Sequence, residues 1–444
     1  MSGPFRKYDI RGIYPDEIGD DLAYEVGRAV ASYFEGMTIA VGHDQRVGSP
    51  SLHSSLVKGI IEQGSDVVDI GFCTTPQLYH YNTKRGIPGL MVTASHNPPE
   101  YNGIKINSYD GRMLAYGSGL EEIERIIDNE SYDDPETQGS VTKSDALSDY
   151  SAFLRKKLGV LKRKLKVVID ASNGASGHVL EKVFYNIDNV EVVPLFFEPR
   201  GSDPGHSLDP TKDESLVEIS QKVRDTGADL GAILDGDGDR CIILDERGAP
   251  ISSDILFCMI VENEMDVDAG DPIFYSDVWA SRIVKRVVED VGGTHKILPI
   301  GIAGFKEKMI MEGGIAGAET SGHIVYKDNL SQDDGVYTLA KVMRYLSSSD
   351  KTISGMVAPY MIYFGDKENI RVKDSERLLD LIRDEFSGAS FEEVDGLTVS
   401  YDDWWFNVRE SNTEPLVRVR IEADSPDKLK EKRLKLLNFI YDNA

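Results

Sequence analysis

Few cysteines, no long apolar run and a shortage of positive charge bound what this 444-residue chain can be. Cys73, Cys241 and Cys258 form an odd count without metal-like spacing. That argues against a disulfide framework and for a reducing, cytoplasmic setting. Cys241 and Cys258 stand in apolar company and read as core residues. No stretch is long and apolar enough to span a membrane, and Met1 to Tyr14 is charged, without the apolar centre of an export signal. Lys plus Arg number 49 against 75 Asp plus Glu, a formal net charge of -26, which speaks against general binding to nucleic acid or anionic membranes. An anionic substrate must therefore be met by local positive clusters. The surplus of acid serves solubility and also suits a salty cytoplasm. No Gly-x-x-x-x-Gly-Lys-Ser/Thr loop is present, so an ATP-dependent kinase of that kind is not supported.

What the chain does have is three polar clusters far apart in sequence. Gly89-Leu90-Met91-Val92 runs as an apolar strand into Thr93-Ala94-Ser95-His96-Asn97-Pro98-Pro99. A strand that stops at small polar residues and turns at proline offers a serine hydroxyl at a sheet edge; taken alone, the same residues also read as a turn capped by its own side chains. The second cluster, Asp235-Gly236-Asp237-Gly238-Asp239-Arg240, lies between the apolar runs Ala232-Ile233-Leu234 and Cys241-Ile242-Ile243-Leu244. Glycines at 236 and 238 let the backbone curl so that three carboxylates converge, and their mutual repulsion calls for a hard cation such as Mg²⁺. The spacing fits an EF-hand up to Glu246, but Arg240 stands where that loop needs glycine, and strands rather than helices flank it. The third cluster, Arg409-Glu410-Ser411-Asn412-Thr413-Glu414-Pro415, sits between two strand patterns and is rich in donors suited to phosphate, although a hairpin with incidental polar residues gives the same pattern.

A strand-end serine, an acidic cation loop and a phosphate-gripping loop are the parts of phosphoryl transfer through a phosphoserine. With them the chain resembles the α-D-phosphohexomutases, the family of phosphomannomutases, phosphoglucomutases and phosphoglucosamine mutases. Thr93 to Pro98 is similar to its phosphoserine loop, Asp235 to Arg240 to its metal loop, and Arg409 to Pro415 to its phosphate-binding loop. Glu319-Thr320-Ser321-Gly322-His323 is similar to its sugar-recognition loop, and Phe5-Arg6-Lys7-Tyr8-Asp9-Ile10-Arg11-Gly12 to its opening signature.

The resemblance implies that Ser95 carries a phosphoryl group whose oxygen joins Asp235, Asp237 and Asp239 around Mg²⁺. The phosphoryl group passes to a hexose monophosphate, a hexose 1,6-bisphosphate turns around as intermediate and activator, and the other phosphate returns to Ser95. It also implies that Arg409, Ser411, Asn412 and Thr413 hold the phosphate that is not reacting. Glu319 and Ser321 bind sugar hydroxyls, and Lys105 assists beside the phosphoserine. Arg240 adds a positive group suited to the anion. His96 is a candidate to orient Ser95 or donate to its phosphate, or else a turn cap; Arg11 is a candidate to reach the cleft, while Arg6 and Lys7 also read as surface charge. His323 is a second sugar-loop candidate, or a support for that loop.

Ala318 and His43 depart from family residues, and Gly301 to Lys306, where the family has a variable substrate loop, matches no one subfamily. Ser411-Asn412-Thr413-Glu414-Pro415 is closer to phosphomannomutases than to phosphoglucosamine mutases. The expectation is a phosphomannomutase with phosphoglucomutase activity. The alternative is a phosphoglucosamine mutase, with a sugar-phosphate phosphatase or a non-catalytic binder behind it. The partners are small hexose phosphates, not nucleic acid or membrane, and no oligomeric state follows.

Three segments repeat one pattern of apolar strand, Asp, small-residue turn and helix: Thr38 to Gln63, Lys166 to Phe184 and Pro272 to Val291. The last part, with strands at Glu368 to Val372, Gly396 to Tyr401 and Trp405 to Val408, reads as a small α+β unit. With the resemblance, the expected fold is α/β, three repeated α/β/α sandwich domains with mixed sheets plus a smaller C-terminal α+β domain around a central cleft. The expected boundaries are 1–145, 146–248, 249–362 and 363–444.

Overall fold

The computed structural model describes residues 3–132, 135–265, 271–410 and 415–443. It contains four sheets. The first has six strands in the order Ile10–Ile13, Tyr101–Asn107, Gly89–Val92, Ile39–His43, Val67–Phe72, Val141–Lys143. Its first three are antiparallel neighbours and the rest pair in parallel. The second runs Pro250–Ile251, Cys241–Leu244, Leu230–Leu234, Leu165–Asp170, Val190–Leu195, and the third Thr294–Leu298, Ile273–Asp277, Ala316–Ala318, Ile324–Tyr326, Gln332–Asp333. Both are again mixed. Parallel pairing needs long crossovers, and helices such as Ser49–Glu62, Gly177–Phe184 and Arg282–Asp290 supply them where the strand, turn and helix pattern places them.

The fourth sheet is wholly antiparallel, in the order Phe364–Arg371, Leu416–Ala423, Trp404–Glu410, Leu397–Ser400, Ser390–Glu392. Strand alternation divides it. Phe406, Val408, Val419 and Ile421 face the helices Ser375–Glu385 and Pro426–Asn443 through Leu378, Ile382, Leu436 and Ile440. Asn407, Arg409, Arg418 and Arg420 lie on the other face, as the period of two requires.

Two details add to the sequence reading. Glu246 to Ala249 is a hairpin turn inside the second sheet and not the end of it, because Pro250–Ile251 pairs back onto Cys241–Leu244. Proline is tolerated there because the strand is an edge. The hydrophobic cores also number three large ones for four sheets. Tyr150, Leu154 and Val167 of the second unit and Phe257, Phe274, Val336 and Tyr337 of the third belong to one continuous cluster. The first and fourth units keep their own. All three cysteines are buried and free. Among the described residues no helix is long and apolar enough to cross a membrane.

Candidate active site

The loops at the ends of the first three sheets meet at a cavity of about 740 Å³. Ser95 lies just past the strand Gly89–Val92, 2 % exposed, with φ at +51°. A side-chain-bearing residue keeps that left-handed conformation only where its surroundings impose it. Ser95 Oγ donates to Asp235 Oδ2 at 2.8 Å and lies 3.2 Å from His96 Nδ1. The close approach depends on Gly236, where a Cβ would lie 2.4 Å from the Ser95 carbonyl oxygen.

Asp235, Asp237 and Asp239 are buried and each brings a carboxylate oxygen within 4.8 Å of the others. Asp235 Oδ1 accepts from the main-chain N–H groups of Gly238 and Arg240. Burial, then the charges of Asp239 and Asp237, push the Asp235 carboxyl well above the ordinary range. Lys105, on the strand antiparallel to Gly89–Val92, donates from Nζ to Asp237 Oδ2 and to Asp239 Oδ2, both at 2.7 Å. Burial opposes its charge, but the two carboxylates outweigh burial and hold its pKa well above the usual lysine value. Thr75 Oγ1 donates to Asp237 Oδ2 at 2.6 Å. Asp237 Oδ1 is buried and unpartnered among the described residues, and Asp239 Oδ1 faces only His323 Nε2 at 3.3 Å. Two open carboxylate oxygens beside a third carboxylate and a serine hydroxyl are an all-oxygen set that fits a hard divalent cation.

The sugar-loop candidates close the opposite wall. Glu319 Oε1 accepts from Gly301 N at 2.5 Å, and its Oε2 from Ser321 Oγ at 3.1 Å and His323 Nδ1 at 2.8 Å. Burial and the Arg240 charge oppose protonation of His323, but Asp239 and Glu319 on its two sides overcome them and lift its pKa to about 9. The protonated ring donates to both carboxylates. Its approach to Arg240 Nε, 3.1 Å from Nε2, is then a close contact of two cations and not a hydrogen bond. A main-chain bridge between Arg240 and His323 ties the metal loop to this one.

Arg11 Nη1 donates to Asn97 Oδ1 at 2.7 Å and its Nη2 pairs with Asp9. The cavity is lined by Arg11, Ser95, His96, Lys105, Asp239, Arg240, Glu319, Ser321 and His323, and also by Arg6 and Lys7. Asp235 and Asp237 lie behind Ser95, outside that lining. His96 is kept neutral by burial and then by the charges of Arg240 and Arg11.

Arg409 is not brought onto the cavity. It is 6 % exposed on the fourth sheet, its Nε 3.2 Å from Asp395 Oδ2 and its guanidinium carbon 5.9 Å from the centre of the Trp279 ring. Asp395 Oδ2 also accepts from Ile300 N, at 3.1 Å, and Ile300 does line the cavity, so one carboxylate joins Arg409 to the rim. Ser411, Asn412 and Thr413 lie outside the described residues. Lys306, at the end of the variable loop segment, is fully buried in the helix Ile302–Glu312, with Nζ 2.6 Å from Asp333 Oδ1 and 3.6 Å from the centre of the Tyr79 ring. Sequence reasoning did not single out Thr75, Asp395 or Arg46, which makes four bonds to the serine loop. The only sequence signal for Arg46 is its place two residues after the Asp that ends the first repeated strand.

Four segments match successive domains of a family described as Phosphoglucomutase/phosphomannomutase: alpha/beta/alpha domain I at residues 3–134, domain II at 148–248, domain III at 252–363 and the C-terminal domain at 368–437. The chain is 35% identical to a phosphomannomutase/phosphoglucomutase of Pseudomonas putida, over 96% of this chain and 92% of the relative. It is 32% identical to a phosphomannomutase of Methanocaldococcus jannaschii, over 98% and 97%. A crystal structure of a phosphoglucomutase/phosphomannomutase family protein from Burkholderia thailandensis superposes with a TM-score of 0.91 at 29% identity, covering 99% of this chain and 97% of that one.

Proposed function

This chain belongs to the phosphoglucomutase/phosphomannomutase family, and on that premise we propose that it is a cytoplasmic phosphomannomutase with phosphoglucomutase activity, interconverting hexose 1-phosphate and hexose 6-phosphate through a phosphoryl group carried on Ser95. The observation that carries this reading is Ser95 Oγ, 2.8 Å from Asp235 and on the same cavity as Lys105, Glu319, Ser321 and His323. Asp235, Asp237 and Asp239 would hold Mg²⁺ together with the Ser95 side chain. Bound there, the cation supplies charge neutralisation as the phosphoryl group moves.

In each transfer one phosphorus–oxygen bond breaks and one forms, between Ser95 Oγ and a sugar hydroxyl, with a hexose 1,6-bisphosphate between the two halves. Ser95 Oγ gains a proton when its phosphoryl group leaves, as the accepting sugar hydroxyl gives one up, and the returning transfer reverses both. His96 Nδ1, 3.2 Å away, is placed to orient the Ser95 hydroxyl or to hydrogen-bond its phosphate as a neutral ring. Lys105, whose charge Asp237 and Asp239 favour, offsets the carboxylates beside the moving phosphate. Arg240 and Arg11 add positive charge to the same wall. Glu319 and Ser321 present acceptors and a donor to sugar hydroxyls. The set reads a ring in either orientation, as the turn of the bisphosphate requires. Arg409, with Ser411, Asn412 and Thr413, would take the distal phosphate once the fourth unit moves onto the cavity, since Arg409 stands off it beside Asp395 here.

Full-length relatives named phosphomannomutase or phosphomannomutase/phosphoglucomutase support mannose and glucose phosphates, and a phosphoglucosamine mutase is not favoured. Phosphorus NMR of the purified protein with Mg²⁺ and a trace of hexose bisphosphate, offered the 1-phosphates of mannose, glucose and glucosamine separately, tests the reading. Fastest conversion of mannose 1-phosphate is expected. Preference for glucosamine reassigns the sugar, and isomerisation of none sinks the mutase.

A further inference from the structure

Arg46 lies beneath the serine loop, between the strand Ile39–His43 and the helix Ser49–Glu62, and is 1% exposed. Its guanidinium donates four hydrogen bonds, all to main-chain carbonyls of one loop. Nη2 reaches Ser95 O at 2.8 Å and Asn97 O at 2.7 Å; Nη1 reaches Pro98 O and Tyr101 O, both at 2.8 Å. An arginine held only for its charge would set its fork on a carboxylate. Here Asp44, the carboxylate it pairs with, meets only Nε, at 3.3 Å, and is otherwise occupied by Arg46 N and Ser49 Oγ.

Four carbonyls aimed at one point repel one another, and although Pro98 O also accepts from Tyr101 N at 3.0 Å, the guanidinium is what draws them together. The loop therefore takes its shape around the guanidinium. The bond to Ser95 O fixes the peptide that follows the residue held at φ +51°. From the other side the same carbonyl is met by Gly236 of the metal loop, where no Cβ fits. Ser95 is thus gripped through its own main chain between Arg46 and the metal loop. Arg46 does not line the cavity, so it touches no substrate there.

We propose that Arg46 is a positioning residue: its planar fork holds Ser95 Oγ at reacting distance in both halves of the cycle, as leaving oxygen in one and attacking oxygen in the other. The proposal rests on the mutase reading for the reaction it serves. A displacement of about 1 Å at a reacting atom lowers turnover by about 10²-fold.

Arg46→Lys keeps the charge but offers one nitrogen in place of the fork, so it cannot serve four carbonyls. We expect its kcat to fall by about 10²-fold while KM for hexose 1-phosphate moves less than about threefold, since ground-state binding does not pass through Arg46. Amide hydrogen exchange should quicken across residues 95–101 and stay unchanged in the rest of the first sheet. In Arg46→Ala, guanidinium ion at tens of millimolar should restore part of kcat and methylammonium should not. Wild-type kcat in Arg46→Lys overturns the proposal. So does exchange that rises over the whole first sheet, or failure of either variant to fold, because Arg46 would then support the domain and not the loop. A wild-type protein that isomerises no hexose phosphate sinks the mutase reading alone, since the exchange comparison still decides whether Arg46 shapes the serine loop.

Discussion

Ser95 Oγ and Asp235 Oδ2, 140 residues apart in sequence, are 2.8 Å apart in the folded chain. The other oxygen of Asp235 is taken by main-chain N–H groups of its own loop, so the carboxylate cannot turn away and the hydroxyl is aimed by the metal loop. Nucleophile and cation ligands form one unit across two sheets.

Ser95→Ala should lower mutase turnover by at least about 10⁴-fold, as expected for loss of a nucleophile. Circular dichroism should be unchanged. Substantial isomerisation by this variant, followed by phosphorus NMR, would exclude a phosphoserine route.

Asp237→Asn keeps the size of the side chain and removes the charge that Lys105 and the open oxygen Oδ1 share. Activity measured against Mg²⁺ concentration should require more than about 100-fold more cation, beyond the loss typical of an outer-shell partner. An unchanged Mg²⁺ curve would mean that the cation binds elsewhere.

Arg409→Gln should weaken hexose-phosphate binding by about 10- to 100-fold, the usual worth of a charge-assisted hydrogen bond to phosphate. Titration calorimetry reads this directly. Unaltered affinity would leave Arg409 as a partner of Asp395 only.

Part of the acid limb of stability should turn on two histidines between the first and second units, beside His53, His96 and His295, which burial also pushes down. His80 packs tilted on Phe153 with ring centres 4.6 Å apart, and His178 on Phe72 at 5.0 Å. Burial pushes both down to about 4. A histidine whose folded pKa lies below its unfolded value of about 6.5 costs stability as pH falls, because the unfolded chain binds the proton first. The loss begins near pH 6.5 and is complete once pH passes below about 4. Replacing both with Phe should flatten this limb of a plot of Tm against pH; an identical acid limb would show that other groups set it.

Gly236→Ala should lower kcat without lowering Tm by a comparable share, because the added carbon strikes the Ser95 carbonyl at 2.4 Å. Gly304→Ala is the contrast. Nothing lies within 4 Å of its Cβ position in the helix Ile302–Glu312, so stability should rise by up to about 1 kcal/mol. Equal effects of the two changes on kcat would refute the close-packing account of the serine loop.

The chemistry of the site was legible because its carriers are local in sequence. Asp235 to Asp239 and Thr93 to Pro98 each state their geometry within six residues, and the repeated strand, turn and helix pattern locates three of the four sheets. What escaped is made by partners far apart. Nothing near Lys306 announces Tyr79 or Asp333, so its burial and its partners could not be read from the sequence. The four carbonyls that define Arg46 belong to a loop about fifty residues on, and carbonyls leave no mark in a sequence. Short exposed edge strands such as Val141–Lys143 and Ser390–Glu392 carry no apolar alternation to read. Pro250 suggests a break because proline ends most strands, yet an edge strand has no need of its N–H.

The shared core beneath the second and third sheets makes a ruler of them. Asp235 to Asp239 and Glu319 to His323 are mounted on one block, so the span from cation ligands to sugar reader is set when the chain folds and not when a sugar arrives. A longer or shorter substrate cannot be accommodated by spreading those two loops; the tolerance must come from the fourth unit, which keeps a core of its own, since Ser95, Lys105 and Thr75 tie the first unit to the metal loop.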